Sequence, residues 1–519
     1  MRSLGALTAT GFPAPRFART GHALGTHLPW VAHHGAGPVG EEWLHQAWAT
    51  SYQPVVRVLD ALAAEGRQHL LTLGITPVLA AQLDDPYLLD EQHTWLGYWR
   101  VRAEGMAGAR ESWRREAGRR ECAEASHALD DFEARWSSGA SPVLRRLVDD
   151  DVIELLGGPL THPFLPLLPD RIARSSLAAG LDDARHRLGR RPAGLWTPEC
   201  AYDPGLERAY ADAGVGHVVL DGPSLLGAGA ATADAWWLGD SDVVAVGRDL
   251  DVSYRVWSPK RGYPGDPWYR DFHTFDHEWG FRTARVTGRS VDPHDKAPYE
   301  PARAAAVIQR DAADFVGIVR QRLIDLREQR GGRPGLVVAA YDTELFGHWW
   351  HEGPDWLAAV LRALPEVGIR VTTLGEAIDE PAGHVYPDSG SWGLHKDWHI
   401  WTGERAAPIA ERQESLAKET LQALDATHPR THRSATHDTL VAQALLALSS
   451  DWAFMVSHDS AAAYAWDRFH GHEQSARGII SALARGDIEL ARDRAEGARR
   501  LDNPFPVLDA RRFLDGGAS

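Results

Sequence analysis

The 519-residue sequence predicts an α/β fold: a largely parallel sheet interrupted by a helical insert and followed by an all-α region. Three observations carry this reading. Short apolar runs alternate with helix-length amphipathic segments, the pattern of strands laid parallel. Polar and aromatic motifs fall where the apolar runs end, the edge at which α/β sheets, open or closed into a barrel, collect their functional groups. Beyond about residue 403 no strand pattern recurs.

Each element follows in order. The first twenty residues hold Arg2, Arg16 and Arg19 but no continuous apolar stretch, so 1–20 reads as a loose tail and not as a signal peptide. Strand-like runs begin within 68–83, 152–168, 193–199, 217–221, 335–342 and 369–374. Residues 86–148 are charged with helical periodicity and predict an insert. After AGLWTPE, Asp203 can cap a helix, Pro204 suits its first turn and Gly214 its stop. Residues 254–281 (YRVWSPKRGYPGDPWYRDFHTFDHEWGF) are too aromatic and turn-rich for a core element, and ordered loops of this kind usually serve a site. GPDWLAAVLRALPEVG sets Trp356, Leu357, Val360, Leu361 and Leu364 on one helical face. From 403 to 519, THDTLVAQALLALSSDWAF and SARGIISALARGDIELARDRAEGARR read as helices of a C-terminal domain.

Composition narrows the function classes. A formal charge of −16 argues against a nucleic-acid partner, which would select a basic face. No run of 18 apolar residues predicts a membrane span. Cys122 and Cys200 are too few for a disulfide framework, so the expected location is cytoplasmic. No edge-strand signature marks a subunit interface. The 21 tryptophans are the unusual feature, because indole is costly to expose unless it fills a core or offers a stacking platform.

The stretch LVVAAYDTELFGHWWHEG (336–353) joins these threads. Its apolar start predicts a strand buried on both faces, so Asp342 and Glu344 belong at the strand's mouth, where ionised carboxylates need no burial. Glu199, in WTPEC, ends a second run in the same way. Two strand-end carboxylates suit glycosyl transfer, in which one attacks the anomeric carbon while the other protonates the leaving oxygen; a gap of about 5–5.5 Å implies retention of configuration. The bland reading makes each a helix cap or an ion-pair partner. His27 and His162 also follow apolar runs and could bind sugar hydroxyls. Alternatively His27, His33, His162, His348 and Asp342 could assemble a zinc site, although no compact HExxH spacing is present. Trp349 with Trp350, Trp392 with Trp401, and Trp257, Tyr263, Trp268 and Tyr269 form aromatic sets that suit either a sugar-stacking groove or interdomain packing; Trp350 is the one best assigned to core.

Set in order, THLPWVAHHG (26–35), GGPLTHPFLPLL (157–168), GLWTPECAYDPGLE (194–207), AAYDTELFGHWWHEG (339–353) and SWG…W (391–401) resemble the motifs of glycoside hydrolase family 57. VWSPKRGYPGDPWYRDF (256–272), EEWLHQA (41–47) and SSDW (449–452) look like those of its members that branch α-1,4-glucans. The resemblance covers nearly all of the chain except the first twenty residues and parts of the insert. It implies an incomplete (β/α)7 barrel over 21–402 with a helical insert, followed by a C-terminal all-α domain. The implied activity is that of a retaining transglycosylase, cleaving an α-1,4 bond and rejoining the chain to a 6-hydroxyl as an α-1,6 branch. Its implied partners are amylose- or glycogen-like donors and acceptors, with no metal or cofactor.

By motif match Glu199 falls on the family's nucleophile and Asp342 on its general acid/base. His27, Trp43, His162, Trp257, Trp392 and Trp401 fall on positions expected to line the donor and acceptor cleft, and Trp196, Tyr263, Trp349 and Trp452 are counted with them. The aromatic loop and the C-terminal domain are the expected covers that keep water out. An amylase or 4-α-glucanotransferase of the same family is the nearest rival; a zinc-dependent barrel enzyme and a non-catalytic glucan-binding protein are the remoter ones. Two departures stand out. Gly25 replaces the first histidine of the family's His-x-His, and LHKDWH replaces a segment usually small and acidic, which implies altered acceptor binding.

Overall fold

The computed structural model describes residues 18–515 apart from 36, 38, 259–261 and 379. Among these, ten strands share one sheet: β1 (Arg19–Thr26), β2 (Leu71–Ile75), β3 (Ile153–Gly157), β4 (Gly194–Trp196), β5 (His217–Leu220), β6 (Ala235–Leu238), β7 (Val244–Gly247), β8 (Leu336–Asp342), β9 (Arg370–Thr372) and β10 (His384–Val385). Their order is β10-β6-β7-β5-β4-β3-β2-β1-β8, with β9 also pairing β1. Only β6 and β7 run antiparallel.

The sheet curls without closing. Side chains from β1, β3, β4, β5, β7 and β8, among them Ala23, Leu156, Trp196, Val219, Val246 and Val338, meet in one interior cluster. Across the seam, among the described residues, β8 makes no ladder, only two backbone bonds: Leu336 N–H donates to Ala233 at 3.0 Å and Asp249 N–H to Val338 at 2.8 Å. The barrel is therefore incomplete. The helix Pro301–Gln329 and the amphipathic helix Gly353–Glu366, which buries Trp356, Leu357, Val360, Leu361 and Leu364, pack on the outside.

Several expectations need correction. β1 starts at Arg19, inside the stretch read as a loose tail, while residues 1–17 lie outside the described residues. RTGHALGT carries two glycines and a histidine instead of an apolar run, yet it is buried along nearly its whole length because it sits between β2 and β8. Asp203 caps no helix: its carboxylate takes the Ser389 hydroxyl, and the helix Leu206–Asp212 starts after Gly205. The aromatic segment is helical as far as Val256. Its described remainder is a pinned structure and not a free lid, since the Tyr263 hydroxyl donates to Asp314 at 2.6 Å and that of Tyr269 to Asp311 at 2.9 Å.

Residues 86–149 form the helices Pro86–Ala107, Ser112–Asp131 and Ala140–Asp149. From Ala407 onward the longer elements are the helices Ala407–Thr427, Ala435–Ala447, Ser450–His458, Ala462–Ala484 and Ile488–Leu501. Ala435–Ala447 is apolar around most of its circumference and is buried accordingly. Its C-terminal turn lies against the loop after β3: Thr161 donates to Leu445 at 2.7 Å and Ser450 N–H to His162 at 3.1 Å. This seam brings the helical region to the sheet's working edge.

Candidate active site

Parallel strands place all their carboxyl ends on one edge, so residues far apart in sequence converge there. β1 leads to His27, β2 to Thr76, β3 to His162, β4 to Glu199, β5 to Asp221 and β7 to Arg248, while β8 ends on Asp342. Each is the first polar residue, or nearly so, at or just beyond the carboxyl end of its strand.

Glu199 is held tightly. The turn Pro198–Cys200 follows β4 directly, and within it Glu199 (φ 60°) and Cys200 (φ 48°) occupy the left-handed region, which costs roughly 1 kcal/mol or more outside glycine. The carboxylate is fixed at both oxygens: Trp392 Nε1 donates to Oε2 and Ser450 Oγ to Oε1, each at 2.9 Å. The Trp392 amide also donates to the Glu199 carbonyl at 3.0 Å. Burial pushes the Glu199 carboxyl up to about 7 despite these donors. Asp342 differs. It is half-buried at the end of β8, and among the described residues none donates a hydrogen bond to its carboxylate. Burial and the charge of Glu199 push it up to about 7, against the pull of Arg248 and His27.

Around this pair, His27 and His162 stack face to face at 3.8 Å and 17°. His27 Nδ1 meets Thr76 Oγ1 at 2.9 Å and Nε2 meets Asp451 at 2.9 Å; His162 Nδ1 meets Ser450 Oγ at 3.0 Å. Burial keeps the His162 imidazole well below its ordinary value, hence neutral. His162 is itself at φ 56°. Burial alone would raise Asp451, but His27, His162 and the Ser449 hydroxyl together outweigh it and bring its carboxyl down to about 2. Glu344, buried behind Asp342, accepts from Tyr52 at 2.6 Å and from His27 N–H at 3.3 Å, and burial next to Asp342 raises it to about 8.

The two departures acquire a physical reason. A Cβ at Gly25 would meet the Trp196 indole at 2.6 Å, and one at its β2 neighbour Gly74 would come within 3.2 Å of Trp196 Cβ. The indole thus lies over two adjacent glycines, and a histidine at 25 has no room. Trp196 then meets Trp392 edge to face at 5.6 Å. Lys396, from LHKDWH, pairs with the fully buried Asp221 at 2.7 Å, sharing it with Arg248 at 2.8 Å. Lys396 also donates to the Trp392 carbonyl at 3.2 Å, and Arg248 lies 5.4 Å from its ring. These cations brace the tryptophan that holds Glu199.

Of the residues nominated from sequence, His27, His162, Trp196 and Trp392 gather around Glu199 and Asp342. Trp257, 41% exposed, pairs with Trp349 at 5.5 Å farther along the edge. Trp43 is half-buried and edges Tyr464 at 6.4 Å. Three do not face the cleft as they stand: Trp401 packs on Phe164 at 4.5 Å, Trp452 is buried with Nε1 donating to Leu446 at 2.8 Å, and Tyr263 packs on Trp356 at 5.9 Å. The five-residue zinc set does not assemble. His33 stacks on Tyr87, His348 lies against Phe272, and the group of ligand-type side chains found among the described residues is His27, His162 and Asp451, within 4.8 Å. Both His27 ring nitrogens already have partners, so that trio is a hydrogen-bonded stack and not an open ligand set. Sequence reasoning overlooked Ser450, Asp451, Arg248 and Asp221. The first two stood beside the nominated Trp452, and Arg248 closes the short run VAVG.

Residues 23–388 match the profile of glycosyl hydrolase family 57, and residues 411–513 that of the 1,4-α-glucan branching enzyme C-terminal region. A protein of Mycobacterium tuberculosis described as a probable 1,4-α-glucan branching enzyme is 51% identical over 516 residues, covering 94% of this chain and 97% of that one. The crystal structure of a family 57 branching enzyme from Thermococcus kodakaraensis superposes with a TM-score of 0.90 at 26% identity, covering 96% of each chain. An α-amylase from Thermotoga maritima, TM-score 0.83 at 24% identity over 96% of this chain and 99% of that one, shares the fold. Strand-end carboxylates on an incomplete (β/α)7 barrel, a profile match over most of the chain and a near-full-length relative agree: the chain belongs to glycosyl hydrolase family 57.

Proposed function

We propose that the chain is a 1,4-α-glucan branching enzyme in which Glu199 is the nucleophile and Asp342 the general acid/base. The observation that carries this reading is the contact between Ser450 and Glu199. Ser450 belongs to the region matching the branching-enzyme C-terminal profile, and it donates to a carboxylate supplied by the barrel. Ionised Glu199 attacks C1 of an α-1,4-linked glucose while Asp342 gives its proton to the departing 4-oxygen. The 6-hydroxyl of a second glucan then attacks C1, its proton passes to Asp342, and the Glu199 carboxylate leaves, so configuration is retained over two inversions. The raised Asp342 carboxyl suits an acid that must be protonated to begin, whereas the burial that raises Glu199 opposes its ionisation and is countered by the donors Trp392 and Ser450. Neutral His162, with Nδ1 on Ser450, keeps Nε2 for a sugar hydroxyl. Trp43, Trp257, Trp349 and Trp392 offer indole faces to glucose rings.

The intended substrate is an amylose- or glycogen-like glucan. The compartment we infer is the cytoplasm, where Cys122 and Cys200 remain thiols. No described helix is long and apolar enough to cross a membrane. The test is amylose incubated with the wild type and with Glu199→Gln, reading α-1,6 anomeric protons by NMR beside new reducing ends. New α-1,6 signal with few reducing ends, lost by about 10⁴-fold in the variant, is expected. Reducing ends without α-1,6 signal would instead mark a hydrolase.

A further inference from the structure

A cleft of about 690 Å³, its open mouth included, lies between the insert, the aromatic segment and the loop after β8. Its walls combine aromatic faces with polar groups that lack the partners expected of them. Trp349 and the 37% exposed Phe275 form apolar surfaces, and Trp95 stands opposite with Nε1 donating to Glu42 at 2.7 Å. Arg282 is sandwiched between Phe272 (4.3 Å) and Phe275 (4.4 Å), with only Nε engaged, on the Phe272 carbonyl. Arg102 lies 5.3 Å from the Phe281 ring. Neither arginine takes part in an ion pair among the described residues. His348 Nδ1, also in the wall, is buried with no hydrogen-bond partner.

We infer that this cleft is a second α-glucan subsite, holding a stretch of chain away from the carboxylates that perform the transfer. An anion is disfavoured, because Glu42, Glu121, Glu124 and Asp271 line the same walls as the arginines. A neutral polyhydroxylated chain suits this mixture: its hydroxyls both accept from guanidinium and imidazole and donate to carboxylates, while its C–H faces cover indole and phenyl rings. Trp349 in the cleft wall ties it to the catalytic edge. Its ring pairs with Trp257 at 5.5 Å, and its amide donates at 3.0 Å to the carbonyl of Glu344, whose carboxylate contacts His27. A branching enzyme must hold two glucan segments at once, and this surface accommodates the part of one that does not react.

The inference rests on the branching reading, and the experiment separates the two. In the full-length Glu199→Gln chain, calorimetric titration compares maltotriose with maltodecaose, with and without Phe275→Ala plus Arg102→Ala. Both positions reach solvent, and unchanged near-UV circular dichroism checks the fold. The double variant is expected to weaken maltodecaose about tenfold while maltotriose changes little, and Phe275→Trp is expected to keep the long-chain affinity. Equal weakening of both sugars, no weakening of either, or binding of inorganic phosphate that Arg102→Ala abolishes would overturn the subsite. Failure of the wild type to form α-1,6 linkages would instead overturn the branching reading, whatever the titrations give.

Discussion

Glu199 and Asp342 end neighbouring parts of one rim and are raised to similar values, yet they are held in opposite ways. Glu199 is clamped at both oxygens and through its own carbonyl, in a backbone conformation that few side chains adopt. Asp342 is half-buried, with no described donor on its carboxylate. The contrast matches what each proposed role requires. A nucleophile reaches one carbon along one line, so misplacement by an ångström is costly. A proton carrier must serve a departing oxygen and then an arriving one, and freedom to turn is an advantage there.

The sharpest way to break the comparison is to remove the need for an acid. With a maltosyl donor carrying an excellent leaving group, Asp342→Asn is expected to retain glycosylation within about tenfold of wild type, whereas Glu199→Gln loses about 10⁴-fold, by burst kinetics. Equal losses would mean that the two carboxylates do not divide the labour as proposed.

A subtler change loosens the clamp. Trp392→Phe removes a hydrogen bond that favours ionised Glu199, so the Glu199 pKa rises further and the acidic limb of the pH–rate profile moves upward by about one unit. The alkaline limb, set by Asp342, should stay in place. Movement of both limbs would show that Trp392 acts on the site as a whole.

The last effect is on stability. Folding raises Glu344 from an ordinary carboxylate value to about 8, so the folded state binds more protons than the unfolded state between about pH 4.5 and 8. Stability from this group is therefore present at low pH and lost as pH rises through that window. Glu344→Gln keeps an acceptor for Tyr52 and cannot ionise. Its advantage over wild type should be near zero at pH 4.5 and grow to at most roughly 5 kcal/mol by pH 9, by urea unfolding. A constant difference across pH would show that Glu344 does not titrate in this range.

The sequence made some of this visible for stated physical reasons. Leu336–Asp342 announces itself because a doubly buried parallel strand must be apolar throughout, and a carboxylate at its end has one sensible place to be. β1 stayed hidden because its middle is Gly-His-Ala-Leu-Gly, and its burial comes from neighbours hundreds of residues away. β6 and β7 are four residues each, too short to show a period. The carboxylates themselves were legible, whereas their supports were not. Ser450 lies 251 residues from Glu199, and nothing local in SSDW says which carboxylate its hydroxyl will meet. Gly25 read as a missing contact until the indole above it gave the glycine a positive reason.

The distance between Glu199 and Ser450 also sets an order of events during synthesis. All ten strands leave the ribosome before Ser450 does, so the sheet can form while its key carboxylate still has one oxygen free. His27 likewise waits for Asp451. Until the helix Ser450–His458 docks, the chain holds a strained turn whose restraint is incomplete.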